Sequence, residues 1–400
     1  MRINSFLIVV LFPTFVFSQG YVSISGKIID KATQQILPNA YLSIPSKGFS
    51  SQTNAVGEFK FFFPKIDLDS ILIISAIGYK SQSKKASAFD STNVIEMEKA
   101  ETLASVQGGD PKTLLKEAFA LVKKNNPSSP TYQIGFYLET LEMAKLGFVK
   151  ITEGILRVER PHTVKEIGVE KTKLLKGRRY DWVGQTAKLD GWGFMNGASI
   201  VTRSLEGGIP EYLDKGNIND YNFKIDSLMT YFNDSLVYSM SFWPVNKRVK
   251  AARNGKVYID VNNQAIVRIE YEMTPEGVKD VIGRSFVDNT KKVGKLVKGY
   301  TQFLPLNGKW HLQDSKLTFV ADFEDKLEKK FTTEATMTVQ FMANESMRMG
   351  RSAIKFDEEL LTTNNFPKGG KYEEKFWVQS NYLIPTPAMV EMMDKMAGKK

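Results

Sequence analysis

The sequence predicts a mainly β protein, a small β-sandwich followed by a larger antiparallel-sheet domain with one or more packed helices. Three observations carry this prediction. Between residues 21 and 99, short alternating apolar and polar runs recur roughly every ten residues, broken by turn residues, as in a sandwich. Beyond residue 130 the alternating runs become long and follow one another with matching apolar faces. Between the two regions, one segment places its apolar residues at helical spacing.

The chain opens with a segment of another kind. Met1 and Arg2 give a short positive start, Phe6 to Phe17 is an almost unbroken apolar run, and Val16-Phe17-Ser18 offers a small-residue cleavage pattern. Spanning a bilayer needs about 20 apolar residues, and this run is shorter and holds Pro13. Residues 1–18 therefore read as a signal peptide cut between Ser18 and Gln19, in preference to an uncleaved anchor. No later segment is long and apolar enough to span as a helix.

The first domain, 20–99, begins with the alternating run Tyr21 to Asp30. A polar turn from Lys31 to Gln35 and Pro38-Asn39-Ala40 lead to a strand over Tyr41 to Ile44. Thr53 to Glu58 turns into a strand over Phe59 to Phe63, and Ile71 to Ala76 is apolar enough to predict a strand buried on both sides. Val94 to Met97 supplies the last strand, and Gly57 and Gly78 stand where turns call for positive φ. Gly26-Lys27-Ile28-Ile29-Asp30, Pro38-Asn39-Ala40, Thr53-Asn54-Ala55-Val56-Gly57-Glu58-Phe59 and Ile77-Gly78-Tyr79, in this order, resemble the carboxypeptidase regulatory-like domain. The resemblance covers nearly the whole segment. It implies a prealbumin-like sandwich of seven strands, with no zinc and no peptidase chemistry, of a kind attached to extracellular proteins and TonB-dependent receptors.

A linker over 100–110 precedes the second domain, 111–400. Asp110 can cap a helix whose first turn holds Pro111, and Leu114, Leu115, Ala118, Phe119, Leu121 and Val122 form its apolar stripe, so a helix is expected over 111–126. Tyr132 to Glu142 and Phe148 to Arg160 read as paired strands. Lys256 to Val261 and Ala265 to Met273, joined at Asn262-Asn263, carry the clearest hairpin signal. Further strands are expected over Val297 to Phe303, Trp310 to Asp322 and Phe331 to Phe341. Asn126-Pro127, Gly135-Phe136-Tyr137-Leu138-Glu139 and Ile151-Thr152-Glu153 resemble envelope proteins of the Bacteroidota type that carry the same regulatory-like domain first. The run Ser235 to Pro244, followed by Gly255 to Asp260 and Ile266 to Ile269, resembles half-barrels related to lipoprotein carriers, although Leu138 stands where the usual pattern has arginine. These resemblances imply a large curved, half-barrel-like sheet closed by helices and able to hold acyl chains. The length leaves no room for a fused outer-membrane barrel, so none is expected.

Composition narrows the function. The chain has no cysteine, which excludes disulfides, zinc–thiolate sites, a cysteine nucleophile and a lipidated cysteine. Of its two histidines, His162 and His311, neither lies in a His-Glu-x-x-His motif, so no metal and no cofactor are expected. No nucleophile elbow and no phosphate-cradling glycine loop occur. Glu139, Glu142, Glu153, Glu159 and the group Asp322, Glu324, Asp325 could supply a glycosidase pair, but carboxylates on alternating strands usually form the solvent face. The net charge of +10 is dispersed. Outside the inner membrane it matches anionic lipid headgroups, lipopolysaccharide or acidic glycans better than nucleic acid.

One segment stands out. Tyr180, Trp182, Trp192, Phe194 and Met195 lie among glycines without a period, as a lid over an apolar cavity or a sugar-stacking platform would, or as a plug at the end of the sheet, the plainer alternative. The expectation is a non-catalytic exported protein of the periplasm or outer membrane that binds a hydrophobic ligand, a glycan or an envelope protein. The alternatives are a structural adaptor for a TonB-dependent receptor or transport machinery, and a glycan hydrolase.

Overall fold

The computed structural model describes residues 20–101, 103–104, 109–160, 170–182, 197–203, 210–213, 217–282, 286–287, 290–325, 330–348, 354–361 and 365–398. The leader and its cut at Ser18 and Gln19 lie outside the described residues, as does His162.

Seven strands make the N-terminal unit: β1 (Tyr21–Asp30), β2 (Tyr41–Ile44), β3 (Phe49–Gln52), β4 (Glu58–Pro64), β5 (Ile71–Ser75), β6 (Gln82–Lys85) and β7 (Thr92–Met97). One sheet has the order β4-β1-β7, with β1 and β7 parallel, and the other the order β3-β2-β5-β6. Ile28, Leu42, Phe59, Phe61, Phe63, Leu72 and Ile74 close the space between the sheets. Each such side chain contributes about 1.5–3 kcal/mol by leaving water. The sandwich is thus the predicted one, with two strands that were not read from the sequence, β3 and β6. Both are short and polar, so they lack the apolar alternation that marks their neighbours. β5 differs from expectation: Leu72 and Ile74 face the core while Ile71 is exposed. It lies between β2 and β6 with one face outward, so its outer isoleucines are not covered. Gly57 and Gly78 do take positive φ, +74° and +87°, at the turns that follow β3 and β5.

The second unit contains β8 (Leu103–Ala104), α1 (Pro111–Ala120), α2 (Val122–Asn125), β9 (Thr131–Met143), β10 (Gly147–Arg160), β11 (Lys171–Asp181) and α3 (Ala198–Val201). It continues with β12 (Tyr221–Ile225), β13 (Leu228–Phe232), β14 (Ser235–Pro244), β15 (Arg253–Asp260), β16 (Ile266–Met273), α4 (Pro275–Ile282) and β17 (Phe286–Val287). The long strands β18 (Thr290–Leu306), β19 (Lys309–Asp325) and β20 (Lys330–Arg348) and the helix α5 (Pro387–Ala397) complete it. The expected helix over 111–126 is two pieces, because the backbone tightens at Leu121, whose amide donates to the carbonyls of Glu117 and Ala118. Its cap is the expected one: the Thr113 amide donates to Asp110 at 3.0 Å.

Antiparallel pairing gives one open sheet in the order β11-β10-β9-β20-β19-β18-β16-β15-β14, with β12 and β13 sharing the outer edge of β14. Alternation sorts the side chains onto two faces. One face carries Tyr137, Leu141, Leu156, Val158, Val297, Phe319, Val339 and Phe341 and is packed by Leu115 and Phe119 of α1 and Val201 of α3 into a single core. The other face is covered by apolar groups over β9–β11, where Phe136, Ile155 and Met342 meet Trp377, Tyr382 and Leu383, and Ile151 meets the methionines of α5.

The C-terminal segment wraps round the free edge of β11. Phe366 lies in the core on the first face, and its ring fills the space left by Gly154 and Gly177. At the edge, the Arg179 amide donates to Pro367 and the Gly369 amide to Arg179, both at 2.8 Å. Trp377 then packs on the second face. This segment also holds the sandwich: the Phe62 amide donates to Asn381 at 2.6 Å, Asn381 donates back to the Phe62 carbonyl, and Asn54 donates to the Ile384 carbonyl at 2.9 Å.

Candidate ligand-binding groove

The aromatic segment singled out in the sequence is described only at its start. Tyr180 belongs to β11 and is buried beneath α5 with Ile151, Met389, Met392, Met393 and Met396. Trp182 is half-buried between this cluster and the main core, and its amide donates to Val149 at 2.8 Å. Both rings therefore serve packing. Trp192, Phe194 and Met195 lie outside the described residues.

Of the candidate carboxylates, the side chains of Glu324 and Asp325 lie outside the described residues, and the others are placed separately. Glu139 accepts hydrogen bonds from Lys150 at 2.6 Å and from the Tyr137 hydroxyl at 2.7 Å on the core face. Glu153 stands on the opposite face, by register, and accepts from Arg178 at 2.5 Å. Burial pushes the Glu153 carboxyl up, against the pull of Arg178. Glu159 pairs with Arg157 and accepts from the Ile354 amide. Asp322 lies 3.4 Å from Lys295, and Glu142 is exposed. Buried Glu139, Glu153 and Glu159 are each paired with a neighbouring cation, Lys150, Arg178 and Arg157. Among the described residues no group of three or more His, Asp or Glu side chains could hold a metal ion, and no helix is long and apolar enough to cross a membrane.

Chemistry concentrates on the second face of the sheet, where β15, β16, β18 and β19 floor a groove of about 580 Å³. The register arranges the polar side chains of this part of the face in three rows, of which the first two and Arg268 line the groove. The central row runs Lys256, Glu270, Tyr300, Lys316; one flanking row runs Asn254, Glu272, Lys298, Thr318, and the other Tyr258, Arg268, Gln302, Asp314. Strands hold these groups at fixed spacing, with neighbours across a strand pair about 5 Å apart.

Most of the charges are internally balanced. Arg268 donates to Glu270 at 2.7 Å and lies over the Tyr300 ring at 3.9 Å, while the Tyr258 hydroxyl donates to Glu270 at 2.9 Å. Tyr300 donates to Asp314 at 2.5 Å and Gln340 donates to it at 2.9 Å, so the buried Asp314 is held from two sides. Burial raises the Asp314 carboxyl in spite of these bonds. Lys256 donates to Asp226 at 2.8 Å, and Ser239 and Ser241 donate to the same carboxylate.

The sandwich approaches the groove at Tyr300. The Tyr300 hydroxyl lies 3.5 Å from Asn39, a residue of the Pro38-Asn39-Ala40 motif. Tyr41 on β2 packs edge-to-face on Phe232 at 6.1 Å, and burial, reinforced by the charge of Asp314 and opposed by Arg268, lifts its hydroxyl well above the usual range. None of the groove residues was singled out in the sequence. Their signal was there in Lys256-Val257-Tyr258 and Lys298-Gly299-Tyr300: the same pair of residue types at alternate, outward positions on two strands. On a strand read alone, that pattern is indistinguishable from a solvated face.

Residues 24–107 match the family model of the CarboxypepD_reg-like domain, the resemblance read from the four motifs. No curated protein matches the chain. Among solved structures, a DUF1329-family protein from Desulfovibrio piger is similar with a TM-score of 0.27 at 8% identity, covering 61% of this chain and 96% of that one. A protein of unknown function from Bacteroides fragilis is similar with a TM-score of 0.15 at 12% identity, covering 80% of this chain and 97% of that one. At these scores neither likeness speaks to function.

Proposed function

We propose that the chain is a non-catalytic, exported binding protein of the bacterial envelope, whose recognition surface is the groove over β15, β16, β18 and β19 of the large sheet. One observation carries this reading: the two faces of the sheet are used in different ways. The first face is packed by α1, α3 and Phe366, while the other is covered by Trp377 and α5 at its β9–β11 end and carries an open groove of about 580 Å³ with charged side chains over β15, β16, β18 and β19. That volume suits a small polar ligand. Lysine, arginine, glutamate and tyrosine on the groove's floor offer such a ligand fixed charged and hydroxyl groups. The pairing of buried Glu139, Glu153 and Glu159 with cations supports the absence of a hydrolytic pair among them.

The reading is tested with the chain purified from envelope extracts and examined by native mass spectrometry. The expected result is a retained hydrophilic compound that is lost on the double substitution Arg268→Ala/Tyr300→Phe. Retention of a diacyl lipid that survives this substitution would transfer the reading to the first face. Fractionation of cells expressing the chain with and without residues 1–18 checks export, and the shortened chain is expected to stay in the cytoplasm.

A further inference from the structure

Within this groove, and resting on the reading of it as a binding surface, we infer that Lys298 and Lys316, with Thr318 beside them, form a subsite for a phosphate monoester. Lys298 faces Thr318 across the β18–β19 ladder and Lys316 faces Tyr300, which makes the two lysines diagonal neighbours on the same face, about 7 Å apart at the backbone. Neither ammonium has a carboxylate within ion-pair distance among the described residues, whereas Lys256 and Arg268 both do. Asp314, the acid nearest in sequence to Lys316, is held by Tyr300 and Gln340. Glu272 stands opposite Lys298 in register but makes no ion pair with it and is exposed. Burial presses the Lys316 ammonium toward losing its proton, opposed by the charge of Asp314 and reinforced by that of Lys298, so an incoming anion favours the charged form of a lysine that burial disfavours.

The charge count selects the ligand. A carboxylate balances one ammonium. A phosphate monoester carries about −1.5 to −2 near neutral pH and offers three acceptor oxygens, enough for two lysines and a threonine hydroxyl. The rest of the groove, with Asn254 and the Arg268–Glu270 pair, offers hydrogen-bonding groups to the organic part. Two sources share this chemistry: a soluble sugar phosphate and a phospholipid headgroup.

The test uses the exported chain carrying ¹³C-labelled lysine, titrated with glucose 1-phosphate and, separately, with vesicles of phosphatidylcholine with and without phosphatidic acid. Saturable shifts of the Lys298 and Lys316 ε signals are expected, with affinity falling roughly tenfold for each of Lys298→Gln and Lys316→Gln. The Lys298→Arg/Lys316→Arg chain should keep binding, Lys84→Gln on the remote strand β6 should change nothing, and Glu272→Gln should tighten binding. Binding of the phosphatidic acid vesicles alone, lost in the same glutamine variants, supports the subsite with a headgroup as its source. Unmoved lysine signals with every probe overturn the subsite. An uncharged oligosaccharide that binds in the groove, indifferent to both lysines, overturns the subsite and leaves the groove's binding role intact. If that oligosaccharide fails as well, both fall.

Discussion

His311 on β19 shows how much one buried side chain can govern. Its ring is buried, and that burial, helped by the charge of Arg160, lowers it to about 4. The unfolded chain takes up this proton near pH 6.5 or so. Between these values the unfolded state holds more protons than the folded one, so stability falls as pH drops through the window and levels off below it, by on the order of 3 kcal/mol. The change His311→Gln should flatten this part of the urea-midpoint curve between neutral and mildly acidic pH relative to the parent chain. At this scale the sequence was informative where a residue has one possible reason to be present, as with Gly57, Gly78 and the cap at Asp110. It was silent where the reason lies in register. Arg268, Lys298 and Lys316 gain meaning only once β16, β18 and β19 lie side by side in register.

Among the elements, the C-terminal segment does what no strand does: it joins both faces of the sheet. Its anchor is Arg178, paired with the nearly inaccessible Glu153 and lying within 4.5–5.7 Å of the rings of Phe376, Tyr372, Trp377 and Tyr180. Removing the cation alone leaves a buried carboxylate uncompensated, so Arg178→Ala should cost about 3–5 kcal/mol. The double change Arg178→Met/Glu153→Gln should recover much of that loss. Hydrogen exchange over 366–397 would rise in the single variant and return in the double, and equal exchange in both would show that the pair does not hold the segment. The long strands were legible because their alternation is regular over many residues. The segment was not, because it follows neither a period of 2 nor one of 3.6, and its aromatics find their partners only across the sheet.

For the whole molecule, the sandwich and the sheet are coupled through a few well-made contacts. Asn381 bonds both the amide and the carbonyl of Phe62, as a neighbouring strand would. Asn381→Ala leaves both groups unsatisfied, at about 1–3 kcal/mol each, and should split one calorimetric transition into two as the sandwich comes free. A single, uniformly lowered transition would mean that the other contacts suffice. A second whole-molecule consequence comes from the irregularities of β18. The ladder with β19 shifts between Gly294 and Leu296, where Lys295 is the extra residue, and again between Gln302 and Phe303. The stretch that carries Lys298 and Tyr300 lies between these two points, and its outward parity holds only while both offsets are kept. Losing the extra residue at Lys295 would turn two ammonium-bearing or phenolic positions toward the hydrocarbon interior and bring Val297 and Gly299 into the light. If the groove binds as proposed, its occupancy is a readout of correct strand alignment across the centre of the protein, and a misaligned chain would lose binding before any loss of secondary structure could be seen.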